Sequence, residues 1–195
     1  MKNKIYLRRS KLAGFTLIEL LVVIAIIGIL STLATISYRS AREKAKISVA
    51  QNDIAQIHKA LEMLANDSNE WPGHQATAIV CTDLPGGCPA NNEICGEDID
   101  ASTCLTGLDD DSSGLILNDA VTPYGSWNGP YIIRIPLDPW GRKYYFDTDY
   151  EVTIDNEPCD GGAGCLSAVV IGSYGPDQRG LNAYNGDDII KVMYR

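Results

Sequence analysis

Hydrophobic and polar positions change their period along this chain, and each change marks a different kind of element. From Phe15 to Ile36 the only charged residue is Glu19, and the rest of the stretch is apolar or small. At about 1.5 Å per residue it spans roughly the 30 Å hydrocarbon core of a bilayer, so it predicts a helix that crosses once. Further on, Ile47, Ala50, Ile54, Ile57, Leu61 and Leu64 recur at steps of three and four, the stripe of an amphipathic helix resting on a core. No proline or glycine interrupts the chain from Leu30 to Asp67. The two stretches therefore read as one helix from about Leu17 to about Asn66. A separate coiled coil is the alternative, but the stripe is short for one. Asp67-Ser68-Asn69-Glu70-Trp71-Pro72-Gly73 ends the helix with polar turn formers and a proline that cannot continue it.

After the helix the period weakens. His74 to about Trp127 is rich in Gly, Pro, Asp and Cys and reads as a variable loop region. Strands are expected near Gly129–Arg134, Lys143–Phe146 and Ala168–Gly172, which are β-branched and aromatic runs bounded by Pro, Gly and Asp. Pro136-Leu137-Asp138-Pro139-Trp140-Gly141 lies between the first two and predicts a tight hairpin turn, with Trp140 covering the edge of the core. The fold class is α+β: a long N-terminal helix, half transmembrane and half amphipathic, packed on a small antiparallel β-sheet head. The segments read as a leader (1–14), a transmembrane half-helix (15–38), an amphipathic half-helix (39–67), a Cys-rich variable region (68–128) and a sheet with an acidic C-terminal loop (129–195).

Charge orients this picture. Lys2, Lys4, Arg8, Arg9 and Lys11 precede the apolar run without an acid among them, which keeps that end in the cytoplasm and the remainder outside. The chain carries a formal net charge of −9, and loss of those five cations takes it to −14 (−9 less 5). Such a surface is ill suited to gripping nucleic acid through phosphates. Arg39, Arg42, Lys44 and Lys46 form a basic cluster just beyond the apolar run, either a packing contact or a solvated helix face. A cleaved secretory signal and a plain anchor are alternatives to the single-pass reading. The apolar run is long for a signal's apolar region, and neither alternative accounts for its acid.

Six cysteines in an exported domain suit disulfides. Cys159 and Cys165 flank a glycine-rich turn and read as one pair, while Cys81, Cys88, Cys95 and Cys104 allow three pairings. Zinc is the alternative, but no C-x-x-C occurs, and His58 and His74 lie outside the cysteine cluster. No H-E-x-x-H, G-x-S-x-G or phosphate-binding glycine loop occurs, so the chain reads as a non-enzyme.

A lone carboxylate inside lipid costs about 2.5–3.5 kcal/mol on insertion scales and calls for a partner. Lys11-Leu12-Ala13-Gly14 followed by Phe15-Thr16-Leu17-Ile18-Glu19-Leu20-Leu21-Val22-Val23-Ile24-Ala25-Ile26 resembles the class III signal of type IV pilins and type II secretion pseudopilins. The resemblance implies a pilin-like fold. It also implies cleavage after Gly14 by a prepilin peptidase, methylation of the Phe15 amine, and a salt bridge from Glu19 to that amine on an adjacent subunit. Relatives often carry a proline near the position of Ile36, which this chain lacks.

Tyr131 to Gly141 resembles the signature of the major pseudopilin of type II secretion, as does Gly175-Pro176-Asp177 leading to Asp187-Asp188-Ile189. In that subfamily the C-terminal loop binds calcium, which implies ligands among Asp177, Asp187, Asp188 and the backbone carbonyl of Tyr174. All are oxygen donors of the kind calcium takes. A plain acidic turn is the alternative. Asp109-Asp110-Asp111-Ser112-Ser113-Gly114 opens like a helical-hand calcium loop but has Ala120 where a glutamate belongs, so it reads as a solvated acidic loop.

The implied partners are identical subunits in a helical filament, the prepilin peptidase, minor pilins or pseudopilins, and an inner-membrane assembly platform. The resemblance implies a pseudopilus subunit that helps drive protein export, at the inner membrane and then in a periplasmic or extracellular filament. The alternative is a surface type IV pilin used for adhesion, motility or DNA uptake.

Overall fold

The computed structural model describes residues 14–77, 93–94, 104–105, 107–159, 162–178 and 186–195. The leader up to Ala13, the cysteines Cys81, Cys88 and Cys95, and the stretch 179–185 lie outside the described residues. Helix α1 runs over Leu17–Ser68, close to the span that the apolar periodicity predicts. The chain divides at Glu43 into two compact units. In the first, the apolar side chains from Phe15 to Ile36 are exposed, and α1 is long and apolar enough there to cross a membrane.

In the second unit the amphipathic stripe does what its spacing predicts. Ala50, Ile54, Ile57, Leu61 and Leu64 are buried, Ala60 joins them, and Ile47 is half-buried at the rim. They pack into one core with Leu108, Leu115, Tyr144, Phe146, Val169 and Ile171.

Among the described residues the sheet of that unit has five strands: β3 (Glu93–Ile94), β4 (Cys104–Leu105), β5 (Tyr145–Val152), β6 (Leu166–Ser173) and β7 (Ile189–Tyr194). Their order is β4-β3-β5-β6-β7. All neighbours are antiparallel except the short β3–β4 pair. Strands β1 (Glu70–Trp71) and β2 (Gln75–Ala76) form a separate two-stranded turn where α1 exits.

Strand β6 is buried on both faces. Val169 and Ile171 face the helical core, while Ala168 and Val170 join Tyr145, Tyr150, Val152 and Tyr174 in a second apolar cluster. A strand covered on both sides reads as a continuous apolar run, as Ala168–Gly172 does. The register of β5 on β6 shifts between Asp147 and Tyr150, so both Tyr145 and Tyr150 reach the second cluster. Strand β7 stands at the edge and exposes Lys191.

Two strand expectations need correction. Gly129–Arg134 is irregular, because the N–H groups of Tyr131 and Ile132 both donate to the Leu115 carbonyl instead of a ladder. The Tyr131 hydroxyl donates to Asp67 on α1, and Tyr131, Ile132 and Ile135 pack on the core, so apolar content here serves packing rather than pairing. The Pro136–Gly141 segment is accordingly a tight turn without a hairpin, closed by Asp138 N–H to Arg142 O at 2.7 Å. Trp140 packs on the core as expected, with the Lys46 ammonium 5.3 Å from its ring centre. Strand β7 was not expected from the pattern. The Cys159–Cys165 disulfide is formed as the spacing predicts, closing the connection from β5 to β6.

Candidate assembly and metal-binding sites

At the start of α1, Thr16 and Glu19 form a reciprocal cap. The Thr16 N–H and hydroxyl donate to Glu19 Oε2 at 2.8 and 2.7 Å, and the Glu19 N–H donates to Thr16 Oγ1 at 3.2 Å. This is the S/T-x-x-E capping box, which satisfies backbone donors left over at a helix N-terminus. It holds the carboxylate one residue from Phe15, whose amine cleavage after Gly14 would expose.

The C-terminal acids are brought together by two backbone features. Gly175 has φ +63°, and a Cβ there would overlap the Asp187 carbonyl oxygen, so only glycine lets the turn after β6 close onto the segment before β7. Across that contact the Asp177 N–H donates to Asp187 Oδ2 at 3.1 Å. Asp188 turns inward, and its Oδ2 accepts the Tyr150 hydroxyl at 2.6 Å. Burial first, and then the Asp188 carboxylate beside it, push the Tyr150 phenol well above its usual range. Tyr174 lies at the head of the turn, buried, with its ring stacked 4.5 Å from that of Tyr145. Among the described residues no group of three His, Cys, Asp or Glu forms a ready metal cluster. Asp177, Asp187 and Asp188 share one region but are not converged on one point.

The turn at Asp138, which sequence singles out for its tryptophan, supports the same region. Asp138 is buried; its Oδ1 accepts the N–H groups of Trp140 and Arg142, and its Oδ2 accepts the Ser173 hydroxyl at 2.6 Å. Ser173 Oγ accepts the Gly175 N–H at 3.2 Å, and Gln178 Nε2 donates to the Trp140 carbonyl at 3.0 Å. Sequence reasoning missed this role of Asp138 and Ser173. The only available signal was an aspartate two residues before a tryptophan, a turn-forming pattern without a long-range component.

The acidic loop at Asp109 is structural. Ser112 and its neighbours form a 3₁₀ turn over Asp111–Ser113, Asp110 caps it, and Ser113, fully buried, donates to the Leu108 carbonyl. Asp109 pairs with Lys143 at 2.9 Å. His74, predicted to lie outside the cysteine cluster, bonds Glu70 at 2.6 Å and stacks 4.0 Å from the Tyr124 ring. The Tyr124 hydroxyl accepts the Gly73 N–H and donates to Ser112 O, and burial pushes this phenol up to about 12. Asp119 nearby is held below the usual carboxylate range by N–H groups of Val121 and Thr122 and the Thr122 hydroxyl.

Residues 9–35 match the prokaryotic N-terminal methylation motif. The likeness continues far beyond it. The chain is 28% identical over 141 residues to a protein named type II secretion system core protein G from Pseudomonas aeruginosa, covering 72% of this chain and 76% of that one. It is also 28% identical over 138 residues to the protein of the same name from Aeromonas hydrophila, covering 71% and 74%. The motif and the two likenesses together support the pilin and pseudopilin reading of the chain. No solved structure matches it significantly.

In keeping with that reading, the chain runs from an apolar N-terminal half-helix into its amphipathic half as one unbroken helix. The absence of a helix-breaking proline at Ile36 is matched by regular α-helix there. Within this pseudopilin-like frame the Thr16–Glu19 cap sits at the predicted processing junction, and the acidic turn sits at the C-terminal end of the sheet.

Proposed function

We propose that this chain is the major structural subunit of a type II secretion pseudopilus. The observation that carries the reading is the extent of the likeness, which covers 72% of the chain and reaches well past the shared N-terminal motif. In this reading the prepilin peptidase cuts after Gly14 at the cytoplasmic face and the Phe15 amine is methylated. Subunits wait in the inner membrane, then stack into a filament that extends into the periplasm, with minor pseudopilins and an assembly platform as partners. Glu19 exchanges its own Thr16 for the Phe15 ammonium of a neighbour. In a low-dielectric setting each charge offsets the other's desolvation, so correct axial register is favoured and a misplaced subunit is penalised.

Glu19→Ala tests this directly. The variant inserts at least as readily as the parent because a buried acid is gone, yet it forms no filament. Filaments at parental yield in pull-down or electron microscopy, or long surface fibres on the parent cells, would contradict the reading.

Calcium belongs to the same proposal. Asp177, Asp187, Asp188 and the Tyr174 carbonyl would hold it, and they are the hard oxygen donors that calcium takes. Support comes from the Gly175 contact, which no side chain would permit and which lays the two acidic segments side by side. When bound, the ion supplies charge neutralisation in an acidic loop and ties the turn after β6 to β7. Addition of a calcium chelator to the processed full-length protein in detergent should lower its Tm, and an unchanged melting curve would remove the metal from the proposal.

A further inference from the structure

We infer that Tyr38, Arg39 and Arg42 form a docking face for anionic phospholipid headgroups on the non-cytoplasmic side of the membrane. This role rests on the membrane placement proposed above and adds a contact that placement does not supply, one between the chain and the charge of the lipid.

The apolar side chains of α1 are exposed up to Ile36, so the residues that follow lie at a definite depth once the apolar run fills the hydrocarbon core. Arg39 and Arg42 come three and six residues after Ile36, about 4.5 and 9 Å along the helix axis. The headgroup layer adds roughly 5–8 Å on each side of the core, so both guanidinium groups reach the level of the phosphates. Tyr38, 68% exposed, stands at the boundary, where amphipathic aromatic rings collect.

Helical spacing brings the three together. Arg42 is four positions from Tyr38 and three from Arg39, and residues so spaced are neighbours on a helix surface. Two guanidinium forks suit phosphate oxygens, because each fork can meet two of them at once. The long side chains can also bend toward the phosphates while their stems stay on the apolar surface. Arg39 and Arg42 are exposed, and neither forms an ion pair among the described residues. Glu43 is the one acid beside them. Against it Tyr38–Lys44 carries Arg39, Arg42 and Lys44, a net charge of +2 (3 less 1).

The basic cluster thus divides between the two roles its sequence leaves open. Lys46 is half-buried with its ammonium over the Trp140 ring, a packing contact within the second unit, whereas Arg39 and Arg42 face outward. A lipid is the occupant that their position favours, since they continue directly from an exposed apolar surface of bilayer length and match the charge at its border. Such a contact fixes the depth of a waiting subunit, and extraction into a filament has to break it.

The experiment uses processed full-length protein in phosphatidylcholine vesicles that carry a trace of spin-labelled phosphatidylglycerol or, separately, spin-labelled phosphatidylcholine. Electron spin resonance reads the fraction of each label immobilised by the protein. The parent should favour the anionic label by about 5-fold or more, the effect of one cation near an anionic surface. Arg39→Gln/Arg42→Gln should bring the two labels to near parity. Lys59→Gln, which removes an exposed cation from the amphipathic half of α1, should keep the parental preference. A parental preference in the double variant, or an equal loss in Lys59→Gln, would overturn the inference. A parental preference combined with loss of filaments would also overturn it and place the arginines against a second copy. If an alkaline wash strips the parent from the vesicles, the membrane placement itself falls, an outcome distinct from a parental preference in a variant that stays embedded.

Discussion

His58 shows how one side chain on the amphipathic half of α1 senses its surroundings. Burial first, then Lys191, lowers its pKa below the ordinary 6.5, and the Glu62 carboxylate 3.7 Å away only partly offsets this. The folded chain therefore holds this imidazole neutral at a pH where the unfolded chain protonates it, so stability rises with pH in the window just below 6.5 and is lost on acidification through it. His58→Gln should flatten that part of the Tm-against-pH profile while leaving the values above pH 7 nearly unchanged; an identical acid-side slope would count against it. At the same scale, Glu19 was legible as an anomaly because a charge in an apolar run stands out. Its local bonds to Thr16 follow from the same spacing. The Asp138–Ser173 bond was not legible, since 35 residues separate its partners and nothing local marks either one.

Elements divide by how much of their pattern is local. Helix α1 could be read to within about two residues of its C-terminal end because its stripe repeats at 3.6 for several turns and its terminator carries a proline. Strand β6 was legible as a continuous apolar run, and β5 in part. The Gly129–Arg134 segment misled because β-branched and aromatic residues signal burial as much as pairing, and here Leu115 takes the N–H groups that a strand would use. Strand β7 escaped because its burial is partial along its length, with no clean alternation to mark a face. The helix stripe gives a direct check of packing. Leu61 is fully buried, so Leu61→Ala should destabilise the folded protein by about 2–5 kcal/mol. Met63, two residues on and 52% exposed, should tolerate alanine within about 0.5 kcal/mol. Equal effects in thermal or chemical denaturation would mean that the stripe does not bear the core.

At the scale of the whole molecule, everything about assembly starts from where the mature chain begins. Mass spectrometry of protein isolated from membranes should find Phe15 at the N-terminus carrying one added methyl group. A mature N-terminus elsewhere would take away the ammonium that the proposed Glu19 pairing requires. The fold class and a helix long enough to cross a membrane were legible because they rest on bulk properties, above all a bilayer-length apolar run. The pairing of Cys81, Cys88, Cys95 and Cys104 was not, because loop spacing admits several closures.

A protein that polymerises through its helices, as proposed for this chain, has to avoid polymerising by any other route. Strand β7 closes one side of the sheet with Lys191 exposed on it, and the Arg195 guanidinium folds back to bond the Ile154 carbonyl and Asn156. An exposed lysine on a border strand discourages another chain from adding to the ladder, because the newcomer would have to bring its own backbone past a hydrated charge. Subunits gathered in a membrane as proposed above would thus be steered away from amyloid-like stacking, which leaves helix-to-helix contact as the favourable way to join.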